Sequence, residues 1–515
     1  MFDAATASLL RSAPELPGLD PDELPAILTT HYAELASIRL RGAGAEEDQE
    51  EGAWSLERIA DTYELVVSLQ PEGPSRAAAA FVAGTAQQIL ARKQMAAIAD
   101  EELPPNIDRD RLDPTLAAAV LFLTSEQYAD ANEAAANIKT RRAEQSYEAT
   151  ILSEHIVDLA KGRLTQILER AARWRRPIAD FDLDDRALAA LLEALSTGIE
   201  MLAAQMLRVP VPEQTGGRFD GPLHAFQRVL ALASSDEGLA ASAPDGLIIT
   251  YPGPYHLASL LLTVAGSIAH ASLLNVLAPS GSNADVWEKW LRFRAEKFPY
   301  VWSNHRQAIE RGFHQTGVSS VVILPTGAGK TTVSSLKIAG VLARGKKVAF
   351  LAPTHALVDQ LTEDLQEMFP SELFGSVVSS DFDLLMQEDA VFQDIEVMTP
   401  ERCLAMLSFA PDAFKDVGLL VFDECHLLSP ETGKIRRALD AMLCVLGFSH
   451  VAPDADLLFL SAMLKNGDEL SLWLQELTGR QAVSVDLLWK PSRQARGVII
   501  YDGEQLGSGL IRATI

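Results

Sequence analysis

An apolar run, Val321-Val322-Ile323-Leu324, passes through Pro325 into the glycine turn Thr326-Gly327-Ala328-Gly329, and a helical segment opens at Lys330-Thr331-Thr332. Glycine tolerates the left-handed backbone that so tight a turn needs. Successive backbone N–H groups in such a turn, together with the positive end of the following helix, make a concave site for phosphate oxygens. Lys330 would reach into that site, and the Thr331 hydroxyl would help to hold a hard cation such as Mg2+. The strict form of the pattern has glycine at position 324, where this chain has leucine.

A second buried run, Leu419-Leu420-Val421-Phe422, ends in two carboxylates, Asp423 and Glu424, followed by Cys425 and His426. Acids are favoured at a helix start for electrostatic reasons alone. At the carboxyl end of a parallel strand they have chemistry to do: Asp423 can enter the Mg2+ shell, and Glu424 can orient or deprotonate an attacking water. Between and around these two segments, short β-branched runs at 320–324, 347–351, 375–379, 395–398, 419–422 and 457–460 alternate with helical stretches. That alternation predicts an α/β domain, a parallel sheet with helices on both faces.

The first 280 or so residues have a different texture. At 186–208, Leu188, Leu191, Leu192, Leu195, Ile199, Leu202 and Met206 recur at helical spacing, and a longer helical stretch is expected over 137–176. Breaks fall at 42–52, which holds an acidic run, and at 102–114, 209–222 and 233–254; each reads as a solvated loop. The basic cluster Arg170, Arg173, Trp174, Arg175 and Arg176 could clamp nucleic acid, but basic residues also gather at helix C-termini, and the structural reading is preferred. The uncharged stretch 257–277 is long enough to span a bilayer, yet it contains Thr263, Ser267, His270, Ser272 and Asn275 and is expected as a core helix, with no membrane involved. Expected domains are therefore a helical region at 1–285, an α/β domain at 286–488, and a crossover at 489–515.

Charge argues against long-range attraction of polyanions. The 515-residue chain carries a net charge of −26, with 26 basic against 43 acidic residues in the first 300 and 18 against 27 thereafter. A nucleic-acid groove would have to be locally basic or built from amides and hydroxyls. Three cysteines without metal-ligand spacing fit a reducing, cytoplasmic setting.

Pro325 to Thr331 followed by Asp423-Glu424-Cys425-His426 resembles motifs I and II of superfamily 2 helicases of the DExH type. Other segments fall in that family's order. Arg306-Gln307 is similar to its glutamine motif, Ala352-Pro353-Thr354-His355 to motif Ia, Thr399-Pro400-Glu401-Arg402 to motif Ib, and Ser461-Ala462-Met463 stands where Ser-Ala-Thr is usual. The resemblance implies a RecA-like P-loop NTPase domain hydrolysing ATP with Mg2+ and driven by nucleic acid. Lys330, Asp423 and Glu424 would be catalytic, with Thr331 and Asp423 on the metal. ATP would be held by Gln307 at its adenine and by Thr326, Gly327, Ala328, Gly329, Lys330, Thr331 and Thr332. Thr354, His355, Thr399, Arg402, His426 and Ser461 would contact the strand or couple it to the ATP site, His426 through a hydrogen bond to Ser461. Methionine at 463 lacks the hydroxyl that this coupling uses.

The 54 residues after Ser461 fall short of the ~100–200 of a second RecA-like domain. The chain thus reads as the N-terminal portion of a longer helicase, with that domain expected in the full-length protein. DNA is expected ahead of RNA as the track, and the helical region could dock protein partners. A duplex translocase that never separates strands, and an ATP-gated binding switch with no motor activity, are the rival expectations. A phosphate-loop kinase would leave Thr354, Thr399 and Ser461 unexplained.

Overall fold

The computed structural model describes residues 55–98, 103–142, 144–175, 183–213, 217–235, 248–379, 392–429 and 435–487, together with Tyr32, Ala33, Leu35, Ala36, Thr215 and Trp489. The acidic run at 46–51, Arg176 and the crossover beyond Trp489 lie outside the described residues. The described residues fall into two compact units: one contains those up to Ser272 with Glu296–Tyr300, the other Leu273–Ala295 with those from Val301 onward.

The second unit is built on seven parallel strands. In chain order they are β1 Ser319–Ile323, β2 Lys347–Leu351, β3 Val377–Ser379, β4 Ile395–Met398, β5 Val417–Phe422, β6 Asp456–Ser461 and β7 Ala482–Asp486. Their spatial order is β3-β4-β2-β5-β6-β1-β7. All six expected strands are present. The seventh was missed because Ala-Val-Ser-Val-Asp is short and half polar, as suits an edge strand that is buried only at Val485. The central strands β1, β4 and β6 are buried along their whole length, the pattern of a parallel sheet covered on both faces. Phe350, Phe422, Phe459 and Phe414 fill the layers between sheet and helices.

This unit begins earlier than the expected boundary at 286. Trp287 donates to the Val276 carbonyl at 3.1 Å, Ser282 to Gly340 O at 2.8 Å, and the Asn283 amide to Ala343 O at 2.9 Å. The last two bonds fasten Ser282 and Asn283 to the helix Lys330–Leu342 and its C-cap Ala343.

The helical unit confirms the amphipathic pattern at 186–208 as the helix Leu183–Leu207, with Leu191, Leu192, Leu195, Ile199, Leu202 and Met206 buried. This is the one described helix long and apolar enough to cross a membrane, and 83% of its apolar window is buried. The stretch 257–277 is divided instead between the helix Pro252–His270 and a short 3-10 turn, Leu273–Asn275. The helix expected across 137–176 is interrupted. Helices Tyr147–Ala160 and Leu164–Ala171 are separated at Gly162, whose φ of +71° stops the first one in a left-handed residue. Nor is 102–114 merely solvated, since Leu103, Asn106, Ile107, Leu112 and Asp113 are buried.

The basic cluster is structural. Trp174 is buried and donates its indole N–H to Glu200 at 2.7 Å; Arg175 reaches the same carboxylate at 2.5 Å, and Arg170 pairs with Asp158 and Glu154. His155 Nε2 and the Thr215 hydroxyl complete the shell of Glu200 at 3.0 and 2.6 Å. A carboxylate with no solvent contact is tolerable only with donors on both oxygens, and four side chains supply them.

Candidate active site

The expected site residues gather along one edge of the sheet, the carboxyl ends of the strands, where open α/β sheets carry their chemistry. Strand β1 delivers the glycine turn, β2 delivers Thr354, β4 Thr399, β5 Asp423 and Glu424, and β6 Ser461. Register explains why neighbours meet: β1 lies between β6 and β7, and β5 between β2 and β6. The Asp423 amide donates to Leu351 O at 3.0 Å, and the Leu324 amide to Ser461 O at 3.0 Å, so the strand ends are tied across.

Gly327 and Gly329 take φ of +82° and +81°, and Gly329 caps the helix Lys330–Leu342. Both glycines are therefore required by backbone conformation. Lys330 begins the helix, and its ammonium reaches Glu424 Oε1 at 2.5 Å. Thr326, Gly327 and Thr332 are exposed, while Ala328 is buried beneath the turn.

Glu424 has φ +52°, ψ +47°. The other non-glycine residues with positive φ among those described, Glu126 and Arg208, follow the last turns of helices, where such a residue is a common stop. Glu424 instead follows a strand, and its left-handed backbone costs on the order of 1 kcal/mol. Asp423 accepts the Glu424 amide on Oδ1 at 3.0 Å. Burial pushes the Asp423 carboxyl above its ordinary range; Lys330 opposes that shift and Glu424 adds to it. With Thr331 at the helix start, Asp423 offers hard oxygen donors of the kind Mg2+ takes, and the described residues hold no cluster of three or more acidic, histidine or cysteine ligands. Such a site suits a cation carried mainly by phosphates and water.

Thr354 and Thr399 both turn out to be helix N-caps. Their hydroxyls accept the Leu357 and Arg402 amides at 3.4 Å, which leaves each hydroxyl proton able to donate elsewhere. His355 is exposed and Arg402 half-buried on the same helix starts. No sequence motif singled out Arg437, which pairs with Glu401 at 3.3 Å and donates to the Pro353 carbonyl, bridging the turns after β2 and β4.

The hydrogen bond expected between His426 and Ser461 is not made. His426 Nδ1 lies 3.2 Å from Glu424 Oε2 but outside hydrogen-bonding direction, and Ser461 Oγ accepts the Met463 amide at 3.2 Å. Cys425-His426-Leu427-Leu428 forms a 3-10 turn, which carries the imidazole back toward Glu424. Gln307 is exposed; the residues facing the glycine turn are Asn304 and His305, one helical turn earlier, whose side chains each lie 3.0 Å from Ala328 O. No sequence motif pointed to Asn304 or His305, whose role depends on the packing of this helix against the turn.

Residues 302–470 match the family model described as DEAD/DEAH box helicase. The chain is 26% identical over 253 residues to Hachiman protein HamB of Bacillus cereus, covering 46% of this chain and 21% of that protein. It is 29% identical over 178 residues to ATP-dependent DNA helicase Hel308 of Thermoplasma acidophilum, covering 34% and 25%. The matched segments thus span a quarter or less of these relatives' lengths. Among solved structures, DUF1998 helicase MrfA bound to DNA overlays at a TM-score of 0.32 with 22% identity, covering 40% of this chain and 30% of that one.

Proposed function

We propose that the DEAD/DEAH box helicase domain at residues 302–470 hydrolyses ATP with Mg2+ and couples that hydrolysis to movement along, or unwinding of, DNA. The observation that carries the reading is the meeting of Lys330, Asp423 and Glu424 over a glycine turn at the carboxyl edge of a parallel sheet. The similarity to Hel308, an ATP-dependent DNA helicase, supports DNA as the track.

The chain's own groups would divide the work as follows. The amides of 327–330 and the Lys330 ammonium hold the phosphates, so Lys330 exchanges the Glu424 carboxylate for phosphate oxygens. Glu424, released from that pair, orients a water and takes its proton as the water oxygen attacks the terminal phosphorus and the bond to the leaving diphosphate breaks. Asp423 and Thr331 would hold Mg2+, whose charge offsets that on the transferring group. Thr354, Thr399, His355 and Arg402 would bind one strand through its backbone, a mode suited to an acidic protein because hydroxyls and amides carry it. A second RecA-like domain elsewhere in the full-length protein would supply the remaining charge stabilisation.

An ATP-gated switch without motor activity is the second reading. It draws on the unmade His426–Ser461 bond and on Met463, which removes a hydroxyl from the segment joining the two sites. Steady-state ATP turnover with single-stranded DNA, duplex DNA and RNA separates the two. Stimulation by one polymer, abolished in Glu424→Gln, supports the motor; ATP binding with no stimulation by any polymer favours the switch.

A further inference from the structure

Asn304 and His305 are absent from the set of residues the motor reading uses, yet both address the glycine turn directly. Asn304 Nδ2 donates to the Ala328 carbonyl at 3.0 Å, and His305 Nε2 lies 3.0 Å from the same oxygen. A carbonyl can only accept, so Nε2 carries the proton. Both side chains are buried, at 0% and 3% exposure. Burial holds the imidazole neutral, with its pKa lowered to about 4, so the ring keeps a single N–H, and that N–H is the one aimed at Ala328.

The imidazole also fills the space beside Gly329, where a Cβ would come within 2.7 Å of His305 Nε2. Its other face is covered. Trp302 stacks on His305 at 5.1 Å and 19°, and Trp489 leans on Trp302 at 5.4 Å and 53°. Trp489 lies after the last strand of the sheet, so a residue close behind β7 contacts the packing under the phosphate turn.

We propose that Asn304 and His305, backed by Trp302 and Trp489, are positioning residues that hold the 326–329 turn in its nucleotide-accepting shape before ATP arrives. The inference rests on the reading of this turn as the ATP phosphate site. Two donors on one carbonyl fix the peptide between Ala328 and Gly329, and that peptide fixes where the following N–H groups point. Without them the turn samples other shapes, and apparent affinity falls by the fraction of time the competent shape is lost. Turnover of bound ATP depends on Glu424 and Asp423, which the clamp does not touch.

ATP binding to the full chain, measured by titration calorimetry, tests this without any need for hydrolysis. His305→Ala should weaken ATP binding about tenfold, and His305→Gln, which restores an N–H donor, should recover most of that loss. Trp302→Ala and Trp489→Ala should weaken it in the same direction by roughly threefold, which covers the case in which His305→Ala fails to fold. In steady-state turnover the changes should fall on KM for ATP far more than on kcat. Unchanged affinity in folded His305→Ala, or a loss confined to kcat, would overturn the clamp alone. Absence of ATP binding by the unaltered chain would overturn the reading of the site and the clamp with it.

Discussion

Lys330 and Glu424, 94 positions apart, are joined by a 2.5 Å ion pair across the carboxyl edge of the sheet. The pair places the ammonium proposed to bind phosphate on the carboxylate proposed as the base, so on that reading neither is available for its task until nucleotide separates them. Glu424→Gln removes the base and also weakens the competitor for Lys330. The expected outcome is a fall in kcat of at least about 10²–10⁴, with ATP affinity equal to or tighter than that of the unaltered chain. Rapid-quench turnover combined with equilibrium ATP binding reads both, and weaker ATP binding in the variant would show that the pair does not oppose nucleotide.

Two imidazoles in the sheet unit set an acid limit on its stability. His305 and His314 are buried, and burial lowers each pKa to about 4 from 6.5, with Lys337 adding to the shift at His314. The folded form stays neutral while the unfolded form takes up protons, so their contribution is fully present above pH 6.5 and is lost as pH falls toward 4. By pH 5 each should have cost about 2 kcal/mol. Urea unfolding between pH 7.5 and 5 should show this slope, and His314→Gln should flatten its half of it.

Lys337 is almost wholly buried, at 1% exposure. It donates to Phe313 O, Gln315 O and Val318 O at 3.2, 2.9 and 2.6 Å, and pairs with Asp456 at 3.3 Å. Lys337→Met keeps the aliphatic stem but leaves three carbonyls and a buried carboxylate short of a donor. A loss of about 3–5 kcal/mol is expected, read as a lower urea midpoint at unchanged m. A loss under about 1 kcal/mol would mean that water or Arg480 takes over the whole role.

Glu200 organises the helical unit in a comparable way. Glu200→Ala strips partners from His155, Trp174, Arg175 and Thr215 together. Removing one member of such a buried charged network costs about 3–5 kcal/mol. Native-state hydrogen exchange should show lost protection in Tyr147–Ala160 and Leu183–Leu207, the two helices the carboxylate joins. Protection unchanged in both would place the stability of these helices in their apolar faces alone.

Much of the site was legible in the chain because its chemistry depends on residue type at short range. A glycine turn between an apolar strand and a helix, and a carboxylate pair after a second such strand, name Lys330, Thr331, Asp423 and Glu424 before any contact is known. Strand positions were legible for the same reason: Val348–Leu351 and Leu419–Phe422 are buried on both faces and read as continuous apolar runs. Contacts between distant segments were not legible. Which face of the helix Ser303–Glu310 meets the glycine turn, and hence that Asn304 and His305 address it, depends on how that helix packs. Glu424 and Lys330 meet because β5, β6 and β1 lie side by side, an order that chain sequence does not express. Whether His426 reaches Ser461 depends on a 3-10 turn whose direction is set by packing, and the structural reading already preferred for the basic cluster gained its partner, Glu200, only in the fold. Local pattern determined the elements and the reactive groups; long-range packing decided their partners, because burial and charge pairing depend on neighbours that are remote along the chain.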